Sequence, residues 1–112
     1  MLNNNKTKYN YKVAKDFMSI GIEMNCDSLE NNKYITIKNN FLVTKNKKTN
    51  KKARIKLGGV IENALYKKEC DEWYVTSSEQ YIKKISKRKR RQLFNKYKDT
   101  ELIKRKDIFG GI

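Results

Sequence analysis

The stretch KYITIKNNFLVTKNKKTNKKARIKLGG, residues 33–59, decides how this chain is read. It holds three β-rich runs. The first is Tyr34, Ile35 and Ile37; the second is Phe41, Leu42 and Val43; the third runs from Ala53 to Leu57, where Arg54, Ile55, Lys56 and Leu57 alternate basic and apolar groups. β-Branched and aromatic residues in such alternation suit a pleated, half-buried surface. Asn39-Asn40 joins the first two runs, and Asn tolerates positive φ better than most residues, so the pair predicts a tight hairpin. Residues 44–52 (TKNKKTNKK) make a polar, lysine-loaded loop between the second and third runs. The spacing predicts a two- or three-stranded meander with a long basic tip, ended by Gly58-Gly59.

On the N-terminal side, residues 1–10 are polar and aperiodic and read as a flexible arm. Val13, Ala14, Phe17 and Met18 then have helical spacing, predicting an amphipathic helix over 11–19. Ile20, Ile22 and Met24 alternate with small or polar residues as a strand or an irregular helix end does, and 25–33 is turn-forming. On the C-terminal side, Val60, Ile61, Ala64 and Leu65 predict a helix to about Cys70, and Trp73, Tyr74 and Val75 a short extended piece in the core. Ser77 and Gln80 have the spacing of a capping box. A long helix is expected over 78–98, with the stripe Tyr81, Ile82, Ile85, Leu93, Phe94 and Tyr97 skipping a turn near 88–90. Leu102, Ile103, Ile108 and Phe109 are expected to dock on the core, and 110–112 to be loose. The fold class expected is α+β: one nucleic-acid-binding domain over 11–109 with a wing-like β-hairpin and three helices, similar to a winged helix-turn-helix.

The 112 residues carry 27 Lys and Arg against 12 Asp and Glu, a net charge of +15. The excess is not a detachable tail: residues 1–56 hold 13 basic and 4 acidic groups, and residues 57–112 hold 14 and 8. Self-repulsion on this scale disfavours a compact state unless a polyanion is the usual partner, and nucleic acid is the commonest polyanion. Codon bias in an AT-rich genome would raise Lys and Asn, but it would not deplete Asp and Glu. The 12 aromatic residues argue against a disordered basic tail, since each buries a large apolar surface.

Catalysis is poorly served. There is no His to act as a general base near neutral pH. Gly58-Gly59 is too short a signal for a phosphate-cradling loop, and Glu62, Glu69, Asp71 and Glu72 lack a recognisable nuclease spacing. Cys26 and Cys70 form no CxxC pair, so neither a metal nor a cofactor is expected, and both are read as ordinary reduced residues. The first residues do not resemble a signal peptide, and no apolar run reaches the roughly 20 residues that cross a bilayer. The expectation is a cytoplasmic, non-enzymatic protein with no membrane partner.

Three basic groups are candidate nucleic-acid contacts. The hairpin tip offers Lys45, Asn46, Lys47, Lys48, Asn50, Lys51, Lys52 and Arg54, where Lys meets phosphate and Asn can pair with adenine. The helix over 83–91 offers Lys84, Lys87, Arg88 and Arg91, on one face at helical spacing. The N-terminal arm offers Lys6 and Lys8 for a narrow, AT-rich minor groove. The competing readings are a solvated loop for the tip, a solvated helix face or a surface-bound membrane helix for 83–91, and disordered filler for the arm. Tyr9, Tyr34, Tyr66, Trp73 and Tyr74 are candidates to stack on bases or to fill the core, with Trp73 and Tyr74 assigned to the core.

One segment carries a family likeness. ARIKLGGVIENAL (53–65), a basic run before a Gly-Gly pair and a helix containing Ala, resembles a stretch in small accessory proteins of plasmid mobilisation and conjugation. The whole chain is similar in type to the relaxosome accessory proteins of Gram-positive plasmids, some of them dimeric winged helix-turn-helix proteins. The resemblance implies a homodimer bound to repeats at a transfer origin beside a relaxase, with no nicking activity of its own. It departs in one respect: a winged helix places its hairpin after the recognition helix, whereas here the hairpin precedes the basic helix. The alternatives are a ribosome-associated RNA-binding protein, and a basic phage or plasmid inhibitor that binds an acidic surface of a host enzyme.

Overall fold

A computed structural model describes residues 7–27, 29, 32–64, 72–97 and 108 of the chain. Its centre is an antiparallel sheet built outward from the Asn39-Asn40 turn. These residues take φ of 53° and 67°, the left-handed pair needed by a two-residue hairpin whose twist matches its strands. The turn joins β2 (Lys33–Lys38) to β3 (Phe41–Asn46) in the register Lys38↔Phe41 through Lys33↔Asn46. β3 continues into β4 (Lys52–Lys56), with Lys45 opposite Lys52 and Phe41 opposite Lys56. The expected 44–52 loop is therefore shorter than its polarity suggests, because strand pairing extends through Asn46 and resumes at Lys52. β1 (Met24–Cys26) and β5 (Trp73–Val75) complete the order β4-β3-β2-β1-β5. The hairpin is thus not an isolated wing but part of a five-stranded sheet in a small α+β fold.

Helices cover one face of this sheet. α1 (Tyr11–Ser19) starts where Asn10 caps it, its side-chain oxygen accepting the Val13 N–H at 2.9 Å. Val13, Ala14, Phe17 and Met18 form its buried stripe, as their spacing predicts. They share one core cluster with Met24, Cys26, Ile35, Leu42, Trp73 and Val75 from the sheet, and with Ile82, Leu93, Tyr97 and Ile108. Trp73 and Tyr74 are both buried, as expected, but Tyr74 lies on the other face of β5 and outside that cluster. The arm is ordered at its end: Tyr9 is buried, pairs with Trp73 in a single β-bridge and meets Phe17 edge-on at 4.8 Å.

Three expectations about helices change. Val60 and Ile61 belong to a three-residue α2 (Val60–Glu62) and stand 82% and 56% exposed, while Glu62 is the buried member. The rest of the expected helix, 65–70, lies outside the described residues. The reversal has a tertiary cause: the Glu62 carboxylate accepts from the Tyr11 hydroxyl and the Gly58 N–H and pairs with the Lys15 ammonium at 3.1 Å. The long helix over 78–98 is two helices, α3 (Glu79–Lys84) and α4 (Lys87–Tyr97), because Ile85 is extended with ψ 145°. Ser86 restarts the chain, its hydroxyl accepting the Lys89 N–H and its carbonyl the Arg90 N–H. The α3 cap is Ser78, which accepts the Tyr81 N–H; Ser77 instead accepts the N–H of Glu23.

Cys26 is disulfide-bonded rather than a reduced thiol. The sequence holds one other cysteine, Cys70, which lies outside the described residues. Spacing alone could not disclose this pairing, since no CxxC or paired framework announces it.

Candidate nucleic-acid interface

Residues directly opposite each other in an antiparallel pair share a face. One face of β2–β3–β4 therefore carries the rows Ile35–Thr44–Ala53 and Ile37–Leu42–Ile55, of which Ile35, Ile37, Leu42 and Ile55 pack in or against the core while Ala53 at the edge is exposed. The other carries Tyr34–Lys45–Lys52, Thr36–Val43–Arg54 and Lys38–Phe41–Lys56. Tyr34, Phe41 and Val43 lie outside the core cluster, and Lys38, Lys52, Arg54 and Lys56 are exposed. Along β3 and β4 this second face is therefore outer surface, while toward β1 the Thr36 hydroxyl donates to the Met18 and Ile22 carbonyls.

Its cations are organised by its rings. The Lys45 and Lys47 ammoniums lie 5.8 and 5.4 Å from the Tyr34 ring centre, and the Arg54 guanidinium lies 5.0 Å from that of Phe41. Such contacts hold flexible cationic side chains over the sheet at about 0.5–1 kcal/mol each. Between them, Lys38, Asn39, Val43, Lys52, Ala53 and Arg54 line an open depression of about 400 Å³. No Asp or Glu occurs from Lys33 to Ile61. Glu23, just before β1, interacts with the Lys45 and Lys47 ammoniums: burial pushes its carboxyl above the ordinary range, with these two cations pulling it back.

The tip is an ordered turn. Asn46 accepts the N–H groups of Lys48 and Thr49 on its side-chain oxygen, and the Asn50 N–H reaches the Asn46 carbonyl at 2.8 Å. Asn46 is therefore committed to shaping the turn, which corrects its assignment as an adenine reader. Asn50, with φ 62°, is exposed beside Lys47, Lys48 and Lys51.

The helical candidates stand apart from this face. Arg88, Arg91 and Lys87 are exposed on α4, whereas Lys84 belongs to α3 and does not share their helical register. Arg90, within the same basic run, is buried and donates to the Ile108 carbonyl. α4 docks on α1, where Asp16 accepts from the Lys96 ammonium at 2.9 Å and from the Tyr97 hydroxyl. Burial and then this carboxylate drive the Tyr97 phenol far above its ordinary pKa. The hairpin and the helix expected to form one footprint thus lie on different sides of the core.

In the arm, Lys8 pairs with Asp27 and lies 4.9 Å from the Tyr74 ring centre, so it is a packing residue rather than a groove contact. Lys6 and Tyr66 fall outside the described residues. Sequence reading missed Lys38 and Phe41 as members of the outer face. The signal was present: a two-residue turn at 39–40 sets a register that brings 38, 41 and 56 together. Among the described residues no cluster of acids, cysteines or histidines could hold a metal ion, and no helix is long and apolar enough to cross a membrane. Compared with known proteins, the chain matches no family model, no curated sequence and no solved structure.

Proposed function

We propose that this chain binds double-stranded DNA without catalysing a reaction on it, laying the β3–β4 ribbon along the major groove. The observation that carries this reading is the outer face on which Lys38, Lys45, Lys52, Arg54 and Lys56 gather around Tyr34 and Phe41, in a stretch of sequence without Asp or Glu. Paired strands lie about 4.8 Å apart, and a two-stranded ribbon is an element the major groove admits. In this role the hairpin works as a wing does. The lysines meet phosphates on both walls of the groove, while Arg54, held over Phe41, is the base reader, since a guanidinium can grip guanine bidentately. The likeness of 53–65 to relaxosome accessory proteins points to repeats at a plasmid transfer origin as the natural site. There a homodimer would mark the DNA for a relaxase.

The test is a salt titration of binding to candidate origin DNA, to scrambled DNA and to structured RNA. Log K falls linearly with log salt, by about 0.9 for each phosphate neutralised. Lys47→Ala weakens binding to every DNA alike and lowers that slope by about 1, whereas Arg54→Ala costs about 1–3 kcal/mol and blurs sequence preference. RNA that displaces duplex DNA at equal concentration overturns the DNA reading.

A further inference from the structure

We infer that a single chain holds two DNA duplexes at once, one on the outer face of the sheet and one on the exposed side of α4, and so bridges them. This rests on the DNA reading above and adds a second, separate site. The sheet and α4 bury their inner sides in the same core: the sheet through Ile35 and Leu42, α4 through Leu93 and Tyr97. Their outer sides therefore face divergent directions. At about 100° per residue, Arg88 lies on the arc opposite Arg90, Leu93 and Tyr97, with Arg91 and Lys87 on its flank. All three of these outward cations are exposed.

The acids follow the same division. No Asp or Glu occurs in the sequence from Lys33 to Ile61 or from Gln80 to Lys98, the two stretches that supply these surfaces. Three of the described acids instead tie elements together: Asp16 holds α4 to α1, Glu62 holds α2 to α1, and Asp27 holds Lys8. A merely soluble basic protein has no need to segregate its acids in this way.

One duplex cannot serve both surfaces. The described chain measures 32 × 28 × 25 Å, and DNA with a persistence length of about 500 Å does not fold back around so small a body. Two duplexes held on opposite sides are separated by the thickness of the protein. That distance is about three Debye lengths at physiological salt, where the length is roughly 8 Å, so their mutual repulsion is largely screened.

The experiment uses the full chain, a short duplex fixed to beads and a second, fluorescent duplex in solution, with protein limiting. Wild type carries the fluorescent duplex onto the beads. Lys52→Gln/Arg54→Gln and Arg88→Gln/Arg91→Gln each still retard a single duplex in a gel, but each loses capture of the second. All four positions are exposed, so the variants keep the fold. Capture at the wild-type level by Arg88→Gln/Arg91→Gln overturns the inference, because bridging would then come from self-association through the sheet face. Wild type that binds duplex in solution yet captures no second one also overturns it, leaving the DNA reading intact. Wild type that binds no duplex overturns both.

Discussion

Glu62 is the residue where local and tertiary chemistry meet. Burial would raise its pKa, but the Tyr11 hydroxyl, the Gly58 N–H and the Lys15 ammonium outweigh that and hold the carboxyl below its ordinary value. A lowered folded pKa adds stability above the unfolded value of about 4.3, and that stability is lost as pH falls through the folded pKa. Denaturant titrations should therefore show wild type weakening below about pH 4, while Glu62→Gln is destabilised by about 1–3 kcal/mol at pH 7 and has a flatter acid limb. Equal stability of the two proteins at pH 7 would mean the carboxylate is not a clamp. At Asn40, with φ 67°, a β-branched residue cannot adopt the turn without strain. Asn40→Val should cost about 1–2 kcal/mol while Asn40→Gly is nearly neutral, a contrast that thermal melts will read.

At the scale of elements, the break between α3 and α4 is set by capping. Ser86 meets the first N–H groups of α4, and Ser78 does the same for α3. Ser78→Ala and Ser86→Ala should each cost about 1 kcal/mol in chemical denaturation, as lost helix caps do. Ser77→Ala should instead loosen the β1 entry, since its partner is the Glu23 amide. How much of this was legible depends on range. The helix over 11–19, the Asn39-Asn40 turn and the strands flanking it follow from neighbours within a few residues, and the structure agrees at each. Ser77, drawn off to the Glu23 amide 54 positions away, and the exposed pair Val60-Ile61 depend on partners far along the chain. Tyr11 lies 51 positions from the Glu62 it holds.

For the molecule as a whole, the disulfide at Cys26 anchors β1, the strand between β2 and β5. Cys26→Ser, or reduction of wild type, should lower stability by about 2–4 kcal/mol, with a matching fall in melting temperature. A melting temperature indifferent to reductant would show that the bond contributes nothing. Disulfides persist in oxidising surroundings, so this bond bears on where the protein works as well as on its stability. The strand runs, the first helix and two basic stretches without acids could be read from the residues alone, because periodicity, turn chemistry and charge are local properties of a chain. Which of those cations reach solvent was settled by the long-range packing of the fold. It buried Arg90, tied Lys8 to Asp27 and turned Lys38, Arg54 and Phe41 onto one surface. It also set the two basic surfaces on different sides of a common core. A side chain's exposure depends on what packs against it, and what packs against it comes from elsewhere in the chain.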